Sequence, residues 1–254
     1  MKHIISFIIR KVPRKYLQLF SHNILKVVAI FYRGNKVACP VCRKTFSKFV
    51  PYGRNPPRNN ALCPNCLALE RHRLMWLFLK ERTDFFSSPL KVLHVAPEIC
   101  FIKTFEALDN LDYITADIES PLAKVKMDIH QIPFPDSTFD VAFCNHVMEH
   151  VEDDILAMRE LNRVLKPGGW AIIQSPMDHS RTVTYEDKNL LSAEDREKAH
   201  GQKDHLRTYG QDYPLRLEES GFKVTPVDLV QEKGKDIAER YALPHDEVIY
   251  LCHK

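Results

Sequence analysis

The stretch DIHQIPFPDSTFDVAFCNHVMEHVEDDILAMRELNRVLKPGGWAIIQSP, from Asp128 to Pro176, decides the fold of this 254-residue chain. Two short apolar runs, 139–144 and 170–174, have the pattern of strands that are covered on both faces. Between them apolar residues recur at helical spacing, and the predicted helix stops at Lys166–Gly169. Such a strand–helix–strand crossover predicts a parallel sheet whose ligand lies beyond the carboxyl ends of the strands.

Four motifs in this region, taken in order, resemble class I S-adenosylmethionine-dependent methyltransferases of the type-11-like branch. They are Pro133–Asp140, Asn145–Val151, Arg159–Leu161 and Leu165–Gly169. The resemblance extends from about Leu90 to the last residue. It implies an α/β fold with a Rossmann-like seven-stranded sheet of order 3-2-1-4-5-7-6. It also implies an enzyme of class EC 2.1.1 that transfers a methyl group to an oxygen or nitrogen atom.

The charges of the chain are unevenly distributed. The first 69 residues hold 13 lysines and arginines and no acidic residue. The other 23 basic residues face all 33 acidic residues, which gives the remainder a formal charge of −10. A basic head on an acidic body predicts an anionic partner, such as RNA, phospholipid headgroups or a phosphorylated glycan carrier. The alternative is that the head packs against the acidic body.

We predict three parts: a basic amphipathic helical segment (1–36), a four-cysteine zinc ribbon with a helix (37–88) and a methyltransferase domain (89–254). No apolar window is long enough for a membrane span, and no cleavage site for a secretory signal is present. We therefore expect a cytoplasmic protein. Residues 16–32 have an apolar stripe that would rest on an anionic membrane at its inner face, or pack against the protein itself.

Two Cys-x2-Cys pairs form the most specific motif of the N-terminal part. They are Cys39 with Cys42 and Cys63 with Cys66. This spacing predicts a tetrahedral zinc site with four sulfur ligands, and a fully liganded ion of this kind is structural. Two disulfides are the competing interpretation, but cytosolic thiols stay reduced.

The cofactor site is predicted from the resemblance. In the family the turn after the first strand is glycine-rich, whereas here it is His94-Val95-Ala96-Pro97-Glu98, without a glycine. A divergent site and a degenerate, non-binding site both explain this turn, and the intact acids downstream favour the divergent one. The resemblance implies that S-adenosylmethionine is bound by the following residues: His94, Ala96, Glu98, Asp117, Asp128, Ile129 and Asn145.

A polar insert, 177–210, follows the fifth strand, where a substrate cap would be built. Within it His205, backed by Asp204, is the candidate general base, because its unperturbed pKa lies near neutrality. Asn145 is a further catalytic candidate. His146 and His150 have a spacing that suits metal binding, but we assign them no ligand role. The candidate substrate-binding residues are Arg181, Tyr185, Arg207 and Tyr209. The alternative is a salt-bridged lid without chemistry.

The methyl acceptor is not determined by the sequence. The layout is similar to zinc-finger rRNA methyltransferases and to zinc-ribbon methyltransferases of surface-glycan assembly. The ribbon tip has Tyr52 as its one aromatic residue near Arg54 and Arg58, which gives RNA little to stack on. We therefore favour a glycan or small-molecule acceptor over RNA. A third hypothesis is a non-catalytic binding module that kept the fold.

Overall fold

The computed structural model describes residue 25, residues 27–53 and residues 56–254. They form two compact units. The first consists of the described residues up to Phe86, together with Glu98–Ala107 and Asp228–Glu247, and the second consists of Ser87–Pro97, Leu108–Val227 and Val248–Lys254. Residues 27–31 are helical, but most of the predicted N-terminal helical segment lies outside the described residues.

The elements are numbered in chain order over the described residues from 33 onward. The strands are β1 (Arg33–Ala38), β2 (Thr45–Phe46), β3 (Val50–Tyr52), β4 (Arg58–Leu62), β5 (Leu90–Val95), β6 (Leu111–Asp117), β7 (Val125–Lys126), β8 (Phe139–Asn145), β9 (Leu165–Gln174), β10 (Tyr185–Glu186), β11 (Arg207–Thr208), β12 (Lys223–Val227) and β13 (Ile249–His253). The helices are α1 (Glu70–Arg82), α2 (Ile99–Glu106), α3 (Asp154–Val164), α4 (Ala193–His200), α5 (Tyr213–Glu219), α6 (Leu229–Lys233) and α7 (Lys235–Tyr241).

The first unit contains two small antiparallel hairpins, β1–β2 and β3–β4. Trp76 of α1 stacks on two rings of α2, with centroids 6.3 Å from Phe101 and 6.1 Å from Phe105. Such aromatic pairs add stability beyond the apolar area that they bury. The aromatic side chains of α1 and α2 therefore form one apolar cluster in this unit.

Arg73 is the fully buried polar centre of the first unit. Its guanidinium donates hydrogen bonds to the carbonyl oxygens of Ala61 (2.8 Å), Ala68 (2.9 Å), Tyr241 (2.6 Å) and Ala242 (2.6 Å). It also lies over the ring of Phe49, with 4.2 Å from Cζ to the centroid. Because four carbonyls accept from one side chain, Arg73 joins the residues on both sides of the second cysteine pair to Tyr241 and Ala242, which are far away in the sequence.

The second unit is built on a seven-stranded sheet of order β12-β13-β9-β8-β5-β6-β7. Counted along this domain, the order is 3-2-1-4-5-7-6, so the predicted fold is confirmed. The five neighbouring strands β7, β6, β5, β8 and β9 are parallel, and β13 is antiparallel to both of its neighbours. The core of the unit lies around β5, β8 and β9, whose side chains are largely buried.

Helix α3 ends earlier than the sequence predicts. Leu165 already has an extended backbone, and β9 includes the whole Lys-Pro-Gly-Gly segment. The register of β8 with β9 shifts between Phe139↔Leu165 and Val141↔Trp170, so this segment forms an irregularity in the strand. A Cβ on Gly169 would lie 2.9 Å from the carbonyl oxygens of Asp140 and Lys166, which explains the glycine. Among the described residues, no helix has the length and apolarity that crossing a bilayer requires.

Candidate cofactor and acceptor site

The turn after β5 has a backbone that normally favours glycine. Ala96 has a φ of 49°, and its N–H donates to the carbonyl oxygen of Ala116 at the end of β6. An alanine in this left-handed region costs about 1–2 kcal/mol because its Cβ approaches the following carbonyl. The glycine-free sequence therefore adopts a glycine-type turn at the carboxyl edge of the sheet.

The predicted role of His94 is not supported by its surroundings. Its side chain is completely buried, and Nδ1 lies 2.7 Å from the hydroxyl of Tyr113. Its ring also packs edge-on against Phe143. His94 is therefore a core residue, and its side chain is not available to a cofactor. Glu98 belongs to the first unit, where its carboxylate lies 4.0 Å from Nε2 of His72.

Two carboxylates stand at the ends of neighbouring strands, as predicted. Asp117 ends β6, and its Oδ1 accepts from the N–H groups of Glu119 and Ser120, 2.7 and 2.6 Å away. Asp128 follows β7, and its Oδ1 accepts from the N–H and Nδ1 of His130. In each case Oδ2 has no recorded partner within the described chain.

The environment of Asp128 keeps it ionised. The pKa of Asp128 is lowered below its usual value by hydrogen bonds from His130. The bond from the backbone N–H has the largest effect, and the bond from the side chain adds to it. Ile129 beside it is buried. The two carboxylates fit S-adenosylmethionine, since their oxygens can accept hydrogen bonds from ribose hydroxyls and from an adenine amino group. The assignments of Asp117, Asp128 and Ile129 stay predictions.

The end of β8 leads into a cluster of histidines around one buried carboxylate. Asn145 ends the strand and is buried, and His146 follows with a φ of 56°. Glu149 is only 2% exposed; its Oε1 lies 3.4 Å from Nδ1 of His146, and its Oε2 accepts from the hydroxyl of Ser175. Burial alone would raise the pKa of Glu149, but the hydrogen bond and charge of His146 lower it below the usual value.

His205 lies in this cluster, but not in the arrangement predicted from the sequence. Its ring is buried and contacts the ring of His150 edge-on, with centroids 4.8 Å apart. Asp204 faces His150 instead, with 3.6 Å between Oδ2 and Nδ1. Within the described residues Asp204 makes its direct contacts with His150 and acts on His205 only as a nearby charge, so the predicted backing of His205 by Asp204 is not seen as a direct contact. Burial lowers the pKa of His205 below its usual value.

Arg207 and Tyr209 are buried and bonded to other residues of the protein, so they are not available to bind a substrate as predicted. Arg207 is fully buried and donates to the carbonyl oxygens of Met148, Val151 and Glu152 and to the carboxylate of Glu186. The hydroxyl of Tyr209 donates to Asp154 at 2.7 Å. Both side chains hold the insert against the turn that precedes α3.

Arg181 and Tyr185 lie together in the insert and remain accessible. The guanidinium of Arg181 lies over the Tyr185 ring, 5.2 Å from its centroid, and forms an ion pair with Asp178 at 3.1 Å. The Arg181 side chain is 43% exposed. Both residues remain candidates for substrate binding.

The four predicted zinc ligands come together in the first unit. Their sulfur atoms lie within 4.8 Å of one another, and the Sγ atoms are 3.6 Å apart for Cys39–Cys66 and 3.7 Å for Cys42–Cys63. Disulfides are excluded by these distances, because bonded sulfurs are about 2.05 Å apart. Four bonds of about 2.3 Å to a tetrahedral zinc would place the sulfurs at about this separation. The cluster therefore fits a zinc ion.

Comparison with known proteins agrees with the fold. The second unit has the strand order of class I S-adenosylmethionine-dependent methyltransferases. Residues 102–173 match the family model described as a methyltransferase domain. Residues 102–173 are therefore similar to this methyltransferase domain, and the second unit has the corresponding strand order.

The relatives share only a part of their length with this chain. An uncharacterized methyltransferase of Schizosaccharomyces pombe is 38% identical over 76 residues, which are 29% of this chain and 27% of that protein. A tRNA U34 carboxymethyltransferase of Nautilia profundicola is 34% identical over 88 residues, which are 35% of this chain and 27% of that protein. A solved methyltransferase structure from Archaeoglobus fulgidus has 15% identity and a TM-score of 0.48, and the alignment covers 71% of this chain and 93% of that one. The chain thus spans about a quarter of the length of these curated relatives.

Glu149 is the residue of the candidate site that sequence reasoning missed. It stands between two histidines in the motif Asn145–Val151, and a single acid there has no special spacing. Its burial is what distinguishes it, and burial follows from the fold of the insert: the N–H of Leu206 donates to the Glu149 carbonyl and brings His205 beside it. A carboxylate followed by histidine in a strand-to-helix turn was the one available signal.

Proposed function

We propose that this protein is an S-adenosylmethionine-dependent methyltransferase that acts on an oxygen or nitrogen atom of a glycan or small-molecule acceptor. The observation that carries the proposal is the pair of carboxylates, Asp117 and Asp128, at successive strand ends of a sheet with the class I order. The match of residues 102–173 to the methyltransferase domain supports it. S-adenosylmethionine, when bound, supplies a methyl group on a positively charged sulfur.

The role of the protein in this reaction is to position the acceptor and to accept its proton. In-line displacement gains most from holding the two reacting atoms in line at close range. As the bond from carbon to the acceptor atom forms, the bond from carbon to sulfur breaks and the acceptor loses a proton. The cluster of His146, Glu149, His150 and His205 lies in the segments that follow β8 and β9, at the carboxyl edge of the sheet. It supplies groups that can take up that proton.

We also propose that Cys39, Cys42, Cys63 and Cys66 bind a structural zinc ion. Four thiolates fill a tetrahedral coordination shell and leave no position for a substrate, so a catalytic role is disfavoured. The proposed contact of the basic head with an anionic membrane rests on residues 4–32, most of which lie outside the described residues. It remains a proposal from the sequence.

The cofactor site is tested by calorimetric titration of S-adenosylhomocysteine into the zinc-loaded full chain. We expect binding in the wild type that weakens roughly 10- to 100-fold in Asp117→Asn, because a hydrogen bond to a charged group contributes about 1.5–3 kcal/mol. Asparagine keeps an oxygen for the two loop N–H groups, so the loop is retained. Asp112→Ala is the matched control, since this exposed acid of the same strand forms its ion pair with Lys91, away from the strand end.

Two outcomes would change the proposal. If the wild-type protein binds neither S-adenosylhomocysteine nor S-adenosylmethionine, the methyltransferase function is wrong and a zinc-ribbon binding module is the better hypothesis. If it binds, the acceptor class is tested by transfer of a labelled methyl group to cell extracts. Label that a ribonuclease removes would contradict a glycan or small-molecule acceptor and favour RNA.

A further inference from the structure

Three side chains at the carboxyl edge of the sheet have the composition of a metal site. Glu149, His150 and His205 each offer one ligand atom, and these atoms lie within 4.8 Å of one another. Glu149 and His205 are buried, whereas the His150 side chain is 35% exposed. Two imidazoles and one carboxylate are a common ligand set of catalytic zinc and of non-haem iron(II).

The distance between His150 and Glu149 fits two ligands of one metal ion better than it fits a direct hydrogen bond. Nε2 of His150 lies 3.9 Å from Oε1 of Glu149, which is too long for a hydrogen bond. Two bonds of about 2.1 Å to one tetrahedral ion would place their donor atoms about 3.4 Å apart. A shift of a few tenths of an ångström would therefore allow both atoms to bind the same ion.

The surroundings also orient the ligands as in known metal sites. Nδ1 of His150 lies 3.0 Å from the carbonyl oxygen of Asp204, which can only accept, so Nδ1 carries the proton. Nε2 is then the atom with a free electron pair, and it is the nitrogen nearer to Glu149. The second carboxylate oxygen of Glu149 accepts from Ser175. In metal sites, hydrogen-bond partners such as this carbonyl and this hydroxyl hold the ligating histidine and carboxylate in a fixed orientation.

The charge of Glu149 points in the same direction. Within the described chain no lysine or arginine forms an ion pair with this buried carboxylate; its recorded side-chain partners are His146, His150 and Ser175. Burying an anion costs several kcal/mol, and the contact with His146 offsets that cost only when His146 is protonated. A divalent cation would supply a positive charge between the three ligand atoms, which lie within 4.8 Å of one another.

We propose that Glu149, His150 and His205 bind a divalent transition-metal ion of the zinc or iron(II) type, distinct from the ion of the four cysteines. Three protein ligands leave at least one coordination position open. If the proposed function holds, on which this role rests, the open position takes an oxygen atom of the acceptor and favours loss of its proton. The acceptor would then be an alcohol, a phenol or a carboxylate rather than an amine.

Cobalt(II) titration of the full chain tests the site without any cofactor or activity. The cysteine site is first filled with zinc, and cobalt is then added while the visible spectrum is recorded. We expect about one further equivalent of cobalt, with the weak bands of a nitrogen–oxygen site and without the thiolate charge-transfer band. Elemental analysis of protein purified without chelators identifies whether zinc or iron is the native ion.

Single substitutions assign the ligands. His150→Ala and His205→Ala are each expected to weaken the cobalt affinity at least tenfold, while His179→Ala, an exposed histidine of the same insert, leaves it unchanged. The urea midpoint of each variant verifies that it is folded. Because the His150 side chain is partly exposed, His150→Ala is expected to disturb the fold less than His205→Ala. The proposal is overturned if the wild type binds no cobalt beyond the cysteine site, or if binding persists in both ligand variants. Retained binding of S-adenosylhomocysteine in that case would leave the methyltransferase proposal standing.

Discussion

At the scale of the residue, Ala96 holds a left-handed backbone (φ 49°) at the turn that faces the candidate cofactor site. Replacing it by glycine removes the contact of Cβ with the following carbonyl but makes the unfolded chain more flexible. We expect Ala96→Gly to stabilise the protein by a net amount of about 0.5–1 kcal/mol. The measurement is the urea midpoint, which should rise without a change in the slope of the transition.

Ala107 provides the matched control for this substitution. It caps the end of α2 with a φ of −88° and is exposed, so its backbone lies in a region that every residue tolerates. Ala107→Gly should therefore lower the urea midpoint slightly or leave it unchanged. Equal effects at the two positions would show that the turn at Ala96 stores no strain.

At the scale of the element, the start of α3 is held by a buried ion-pair network. Asp154 accepts two hydrogen bonds from Arg216, at 2.6 and 3.0 Å, and one from Tyr209. Arg207 lies 3.8 Å away and adds a second positive charge. Burial alone would raise the pKa of Asp154, but the hydrogen bond from Arg216 and the charge of Arg207 lower it below the usual value.

This network predicts a loss of stability in acid. Because the pKa of Asp154 is lower in the folded than in the unfolded state, its contribution is complete above the unfolded value of about 3.9 and declines as pH falls through the folded value. Asp154→Asn should cost about 3 kcal/mol at pH 7, because it removes the negative charge that pairs with Arg216 and lies beside the buried Arg207. It should also flatten the urea midpoint's pH dependence below about pH 4. Glu219→Gln, which breaks an exposed pair with Arg159, is the control; an equal loss there would contradict the prediction.

The same element shows where sequence reasoning stops. The apolar spacing of 155–165 predicted α3, and turn chemistry predicted the break before β9 to within a few residues. The roles of Arg207 and Tyr209 were wrong because polar side chains in an insert were assigned to its surface. Three carbonyl oxygens of the turn before α3 accept hydrogen bonds from the buried guanidinium of Arg207. No local pattern in the sequence shows which carbonyl oxygens accept from a side chain more than 50 residues away.

At the scale of the whole molecule, the order of the sheet could be predicted and the composition of the two units could not. Right-handed crossovers and the family resemblance are enough to fix the strand order. By contrast, 98–107 and 228–247 belong to the unit of the cysteine cluster. The hydrogen bonds of Arg73 to Tyr241 and Ala242 join residues that are far apart in the chain, and periodicity carries no signal for such contacts.

The cysteine cluster gives a final prediction at this scale. Arg73 donates to carbonyl oxygens on both sides of the second cysteine pair, Ala61 and Ala68, so the ribbon and α1 depend on the same few contacts. Metal binding in small ribbons is coupled to their folding. We expect a zinc chelator to open the segment 37–68 to proteolysis, with cleavage sites identified by mass spectrometry, and added zinc to restore protection. Cys66→Ser should be cleaved there without chelator, whereas Cys252→Ser, which alters a buried thiol outside the cluster, should respond like the wild type. Unchanged resistance in protein shown to be free of zinc would mean that the four cysteines hold the ribbon together by packing alone.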